Sequence, residues 1–191
     1  MSSLVLTGDT SGQVTISAPA VAGSNTLTLL AATATNSVNT LGTSVASTSG
    51  TAILFSSLPS WVNRLTVMFS GVSTSGTSNL LIQFGAGSVT TTGYVSGAQL
   101  QSGTAVNFTN STAGFVLYFG SAAYLGYGSM IFNRVTGNSW VGSGYLNTST
   151  TTGTPSAGGV TLSGALDRVN ITTVNGTDTF DAGTINILYE A

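Results

Sequence analysis

The chain has no cysteine, no histidine and no lysine. Without cysteine, disulfides and thiolate metal sites are excluded, and the sequence carries no mark of its redox compartment. Without histidine there is no imidazole for a Ser-His-Asp triad or a histidine-ligated metal. The basic residues are Arg64, Arg134 and Arg168. Three cations cannot neutralise a run of phosphates, so nucleic acid is not expected as a partner. A basic membrane-surface helix is excluded by the same count. Charged residues fill 4% of the 191 positions, against roughly 25% in a typical soluble domain. The formal net charge of −2 is small, and low net charge favours association.

Long hydrophobic runs are also missing, although mean hydropathy is positive. The densest runs are Ala52–Phe55, Leu65–Phe69 and Phe115–Phe119, far short of the ~18 apolar residues of a transmembrane helix. Met1-Ser2-Ser3-Leu4 lacks a positive n-region and an apolar core, so no signal peptide is expected. A transmembrane β-barrel would share the alternating pattern described below, but it needs an export signal. No membrane insertion is expected on that ground. Disorder fits poorly, because hydrophobic residues make up 41% of the chain and charge is scarce.

Serine and threonine together occupy 59 positions, and glycine 25. Glycine and serine interrupt almost every window that could be helical, and Glu, Lys and Gln are rare. Period-two alternation takes the place of helical periodicity. Leu65, Val67 and Phe69 share one face, as do Leu80, Ile82 and Phe84, and Ile185, Ile187 and Tyr189. Val160 with Leu162, and Val169 with Ile171, repeat the pattern. Phe115–Phe119 and Gly128–Phe132 are apolar on both faces and read as central or interface strands. Turn sequences at residues 8–12, 22–25, 73–76, 85–87, 135–138 and 175–178 punctuate these strands. The Ser/Thr/Gly tract Asn147–Gly159, with Pro155 inside it, reads as an exposed mobile loop. Many short strands between regular turns predict an all-β fold, an antiparallel β-sandwich or barrel.

The chain divides in two by composition. Residues 1–50 contain no aromatic residue, and their expected strands, Leu4–Leu6, Val14–Ser17 and Thr26–Leu30, carry few large side chains. Residues 33–50 bury too little apolar surface to offset an ordering entropy of ~1–2 kcal/mol per residue. They are expected to order only by docking on another chain or another copy. Residues 1–50 thus read as an extended docking and oligomerisation segment. Residues 51–191 hold every Phe, Tyr and Trp and are long enough for a two-sheet core.

Chemistry-bearing constellations are few. Asp178 and Asp181 lie in one Gly-bounded stretch, which could contribute to a calcium loop or a pair of catalytic acids. Calcium wants six to eight oxygens, EF-hand spacing is missing, and turn formation is the commoner use of aspartate here. A glycosidase pair needs its carboxyls ~5–10 Å apart across a cleft, which a sequence cannot establish. No catalytic residue, no metal ligand and no cofactor-binding residue is therefore assigned. Asp167-Arg168 reads as a structural ion pair, with clamping of an anionic ligand as the alternative. Gly85-Ala86-Gly87 and Gly126-Tyr127-Gly128 are followed by no helix pattern, so no dinucleotide loop is expected. The Asn-x-Ser/Thr triplets, including Asn147, arise by chance in a chain this rich in Ser and Thr. The aromatics Tyr124, Tyr127, Trp140 and Tyr145, with Tyr118, fall within residues 118–145. Exposed, such rings would form a recognition patch for sugars or apolar partners; the competing role is core filling, where aromatics contribute most area.

Three stretches carry a family likeness. Leu4–Gly12 followed by Val14–Leu29, then Leu58–Ser73 (LPSWVNRLTVMFSGVS), then Asp178–Glu190 (DTFDAGTINILYE), resemble segments of tailed-bacteriophage structural proteins of the tail-fibre kind. The resemblance touches both parts of the chain and transfers no catalytic or binding residue. It implies a virion component attached by its N-terminal part, with a distal jelly-roll-like β-sandwich, usually trimeric.

The resulting expectation is a non-enzymatic virion protein without a cofactor, a homotrimeric tail-fibre or receptor-binding subunit acting in host attachment. Its expected partners are sister chains, other virion proteins (a tail baseplate or hub, or the major capsid protein) and a host surface glycan. A capsid decoration protein of the phage head is the alternative, distinguished by copy number, and a carbohydrate-binding module is the third reading.

Overall fold

A computed structural model describes residues 3–7, 13–17 and 39–191. The chain forms two compact units, Met1–Asn36 and Ser37–Ala191. In the first unit, β1 (Ser3–Thr7) and β2 (Gln13–Ser17) form an antiparallel pair with Val5 opposite Thr15. The expected strand at Thr26–Leu30 and the turns at residues 8–12 and 22–25 lie outside the described residues.

The second unit begins with β3 (Asn39–Leu41), β4 (Val45–Ala46), β5 (Ala52–Ser56), β6 (Arg64–Thr74), β7 (Leu80–Ala86) and β8 (Ser88–Val89). There follow β9 (Val95–Ser102), β10 (Ala105–Ser111), β11 (Phe115–Leu117), β12 (Gly126–Thr136) and β13 (Ser139–Asn147). The last strands are β14 (Thr152–Thr161), β15 (Arg168–Thr173) and β16 (Phe180–Glu190). Among the described residues there is no helix. A nine-stranded sheet runs β10–β9–β14–β13–β12–β6–β16–β3, with β4 also on β16; a five-stranded sheet runs β11–β7–β15–β5, with β8 on β7. All pairings are antiparallel, from β10–β9 to β7–β8. The chain alternates between the sheets at β5, β6, β7 and β9 and again at β15 and β16, and β6 and β16 lie side by side. This is a jelly-roll-like β-sandwich.

The core follows from the alternation. Leu65, Val67 and Phe69 of β6, Ile185 and Ile187 of β16, and Met130 and Phe132 of β12 face Leu80, Ile82 and Phe84 of β7 and Val169 and Ile171 of β15. At its centre Phe84 meets Phe115, Phe132 and Trp140 edge-on, at centroid distances of 5.3, 4.8 and 5.6 Å. The Phe84 amide donates to the Tyr94 hydroxyl (2.7 Å), which donates back to the Phe84 carbonyl (3.3 Å). Burial pushes the Tyr94 hydroxyl from its ordinary 10.0 up to about 12, although the bond from Phe84 works the other way.

One edge of the small sheet is enclosed by the large one. Leu81 and Val116, on the face away from the main core, pack with Ala98 of β9 in a second apolar cluster. The β9 end of the large sheet therefore curls past edge strand β11. Val116 is a β11 residue whose backbone faces away from β7. Its N–H donates to Ser96 Oγ at 2.9 Å, and its carbonyl accepts from Ser156 Oγ at 2.5 Å. Two serines of the large sheet thus satisfy backbone groups that an edge strand would otherwise leave open. This is why Phe115–Leu117 is buried on both faces even though β11 lies at an edge.

Two stretches depart from the sequence reading. Residues 39–46, assigned by composition to the docking segment, pair with β16 of the same chain, and Ser47 is buried with its hydroxyl donating to the Ala182 carbonyl. The second unit thus starts ahead of the expected boundary at residue 50. Their few apolar atoms suffice because β16 supplies a ready backbone template. Similarly, most of Asn147–Gly159 is not a loop: β14 pairs with β13 along its length. Pro155 is tolerated because it faces Tyr145 on the β13 side, while on the β9 side the ladder is interrupted between Gly153 and Ser156.

The core arrangement makes two predictions. Phe84→Ala should cost about 3–5 kcal/mol in denaturant unfolding, and Ser156→Ala about 1–3, because the latter leaves a buried carbonyl unpaired. Tyr94 is neutral when folded, and its raised value means that its contribution is intact below pH 10 and lost as pH rises through about 12. Unfolding midpoints measured across that window should fall more steeply for the natural chain than for Tyr94→Phe.

Candidate functional site

Strand alternation gives the large sheet an outer face, and the register places Tyr127, Ser129 and Ile131 of β12 there beside Val141, Ser143, Tyr145 and Asn147 of β13. Tyr127 lies opposite Asn147, and Ser129 opposite Tyr145, so the two tyrosines are diagonal neighbours. Tyr127 is 53% exposed and Tyr145 48%. Further along the same face, Phe108 of β10 is also exposed.

Each of these rings lies across a glycine. A methyl group on Gly71 would stand 3.1 Å from the Tyr127 hydroxyl oxygen, and Gly71 has φ +66, which a side chain would strain. A methyl on Gly153 would overlap the Tyr145 ring, and one on Gly97 would stand 2.9 Å from the Phe108 ring. The glycines let the rings lie down on the sheet with one face against backbone and the other toward solvent.

Beside Tyr127 the surface sinks into a cavity of about 430 Å³, lined by Ala123, Leu125, Tyr127, Asn147 and the Thr148–Thr150 turn. The turn is held by its own hydroxyls: Thr148 Oγ1 and Thr152 Oγ1 are 2.9 Å apart, Ser149 Oγ and Thr152 Oγ1 2.7 Å, and the Thr148 amide donates to the Thr152 carbonyl at 3.0 Å. The opposite wall is tied to it by the Leu125 amide, which donates to the Thr148 carbonyl at 3.1 Å. Among the described residues, neither the Asn147 side-chain amide nor the Thr150 hydroxyl has a hydrogen-bond partner in the protein. No charged side chain lines the cavity. What the walls offer is an aromatic ring, apolar carbon and neutral polar side chains.

The aromatics weighed between a recognition patch and core filling divide between the two locations. Tyr127 forms a cavity wall and Tyr145 an exposed platform next to it. Trp140 is a correction: it is 2% exposed and packs edge-on against Phe84, because position 140 falls on the inner face of β13. Tyr124 is half-buried against Phe119, with ring centroids 6.1 Å apart, at the margin of the core. Leu125 carries no sequence signal, and Asn147, Thr148 and Thr150 stand out only as the start of the Ser/Thr/Gly tract read as a loop. The β12–β13 register, which unites them, is not written in local composition.

The charged groups lie elsewhere and are largely paired. Arg168 forks onto its chain neighbour Asp167 at 2.7 and 3.1 Å, which holds the Asp167 carboxyl below its usual range. Arg64 meets Glu190 across β6 and β16 at 3.4 Å. Asp178 accepts from the Asn175 side-chain amide (2.7 Å) and the Ser78 backbone amide (2.9 Å), which lower its pKa, and Asp181 accepts from the Ser73 hydroxyl. These contacts make Asp178 a staple between two loops. Among the described residues, no three carboxylates cluster as metal ligands would.

No family model matches this chain, and neither a curated protein nor a solved structure matches it.

The division between core and surface aromatics is measurable. Trp140→Ala should destabilise by about 3–5 kcal/mol. Trp140→Phe should cost less, since the indole N–H has no partner to lose. Tyr127→Ala should change the unfolding free energy by less than about 1 kcal/mol.

Proposed function

We propose that the chain is a non-enzymatic structural subunit of a tailed-bacteriophage particle, a tail-fibre or receptor-binding protein that acts in host attachment as a homotrimer. In this reading the N-terminal unit docks onto other virion proteins and the sandwich is displayed. The observation that carries it is the outer face of the large sheet: a broad, charge-poor surface with flat-lying, solvent-facing aromatic rings and a preformed cavity. Large exposed apolar side chains concentrated on one face mark a contact surface. The separate N-terminal unit supports the division of labour.

Edge strand β10 supports self-association. It carries no charge and no proline, exposes Val106 and Phe108, and is hydrogen-bonded on one side by β9. Natural edges of that kind are normally blunted or covered. A symmetric assembly would cover it.

The test is gold-labelled antibody against the sandwich on intact particles, combined with the oligomeric mass of the purified full chain by light scattering. Label at the tail and a three-chain mass are expected. Label over the head at high copy number would replace this reading with capsid decoration. Absence from purified particles would end both.

A further inference from the structure

We propose that the cavity beside Tyr127 is a binding site for a neutral saccharide; this rests on the attachment reading and names the ligand class of that surface. The argument is one of matched chemistry. A pyranose ring offers an apolar C–H face and a rim of hydroxyls, each of which donates and accepts. The cavity offers an apolar wall, Leu125 and the Tyr127 ring held flat over Gly71, and a polar side at Asn147 and Thr150. An aromatic ring presents a large rigid apolar surface at little entropic cost. The Asn147 amide has two donors and an acceptor, and the Thr150 hydroxyl can do either, and both are unpartnered among the described residues. Small-ligand clefts of ~300–1,000 Å³ combine apolar walls with a few placed polar groups in this manner.

The same features argue against other ligand classes. A sulfate, phosphate or carboxylate would find no cation in the cavity, and an anion without a charged partner is costly to desolvate. A purely hydrocarbon ligand would make no use of the Asn147 side-chain amide or the Thr150 hydroxyl. The hydroxyl-braced Thr148–Thr152 turn fixes one wall before binding, so little ordering is required of the protein. Tyr145, lying over Gly153 across Asn147 from Tyr127, extends the platform for a second ring of a chain.

The experiment is native gel electrophoresis of the full chain through gels cast with a neutral glucan, mannan or galactan, and with a sulfated galactan for comparison. Retardation by at least one neutral polymer is expected. Tyr127→Ala and Asn147→Ala should each weaken that retardation at least about tenfold, the loss of one good contact. Val174→Ala, an exposed apolar position outside the cavity, should leave it unchanged. Near-ultraviolet circular dichroism confirms that each variant is folded, and Asn147→Ala alone decides the matter should Tyr127→Ala fail that check. No retardation by any neutral polymer, retardation by the sulfated polymer only, or neutral retardation that survives both substitutions would overturn the proposal. A chain found on particles without retardation sinks this site and leaves the attachment reading standing. Retardation by a chain absent from particles does the reverse.

Discussion

Neutral hydrogen bonding carries this fold, because little charge is available to do so. With three cations and five anions in 191 residues, ion pairs cannot organise the sandwich, and buried N–H and C=O groups depend on ladders, hydroxyls and side-chain amides, as Phe119 does on Asn79. The most telling case is Val116. Its outward amide and carbonyl would end the small sheet as an open edge, and Ser96 and Ser156 take both. That closure requires β9 and β14 to bend past β11. The bend in turn puts Leu81 and Val116 under cover, with Ala98 above them. Serine in a composition that looks at first like low complexity is therefore the means by which the β11 edge is sealed without charge.

A single local device recurs on both sides of the large sheet with opposite consequences. Phe132 lies over Gly142 inside the sandwich, and Tyr145 lies over Gly153 outside it. In each case the glycine makes room for a ring to lie along the sheet. Inside, the free face of the ring meets other rings and becomes core, as Phe132 does against Phe84 and Phe115. Outside, it faces solvent. The role of an aromatic residue here is set by strand parity, since one residue along a strand switches the face. Trp140 and Tyr145, five positions apart on β13, differ for that reason: one is sealed in the core and the other is open.

Parity also explains what could be read from the sequence. The long strands β6 and β16 were legible because one face of each is apolar at every second residue, at Leu65, Val67 and Phe69 and at Ile185, Ile187 and Tyr189, with Met68 and Leu188 the exceptions on the other face. The sandwich class followed from them. Only the Val160 end of β14 was legible; the rest was hidden because its outward positions are Gly153, Pro155, Ala157 and Gly159 and its inward positions include Thr154 and Ser156, so neither face is recognisably apolar there. β3 and β4 were hidden because their order comes from pairing with β16, a contact nearly the whole sandwich away in sequence. Of the candidate patch, aromatic residue type pointed to Tyr127 and Tyr145 but could not separate them from Trp140. The polar half of the cavity depends on a turn, which the Ser/Thr/Gly tract from Asn147 does signal, and on cross-strand register, which leaves no compositional signature.

The proposed recognition without charge has particular physical consequences. Coulombic steering contributes little, so encounter rates stay near those of uncharged partners, and salt has little to screen. Selectivity must come from shape and from the cost of leaving a hydroxyl or amide unpaired, which penalises a ligand lacking the right group more than it rewards one that has it. One shallow site of this kind binds weakly. Repeating it on a symmetric assembly raises the effective affinity by about 10²–10⁴ without any new contact, provided the sites can engage together. The proposed assembly through the β10 edge and the proposed site beside Tyr127 would together meet that condition.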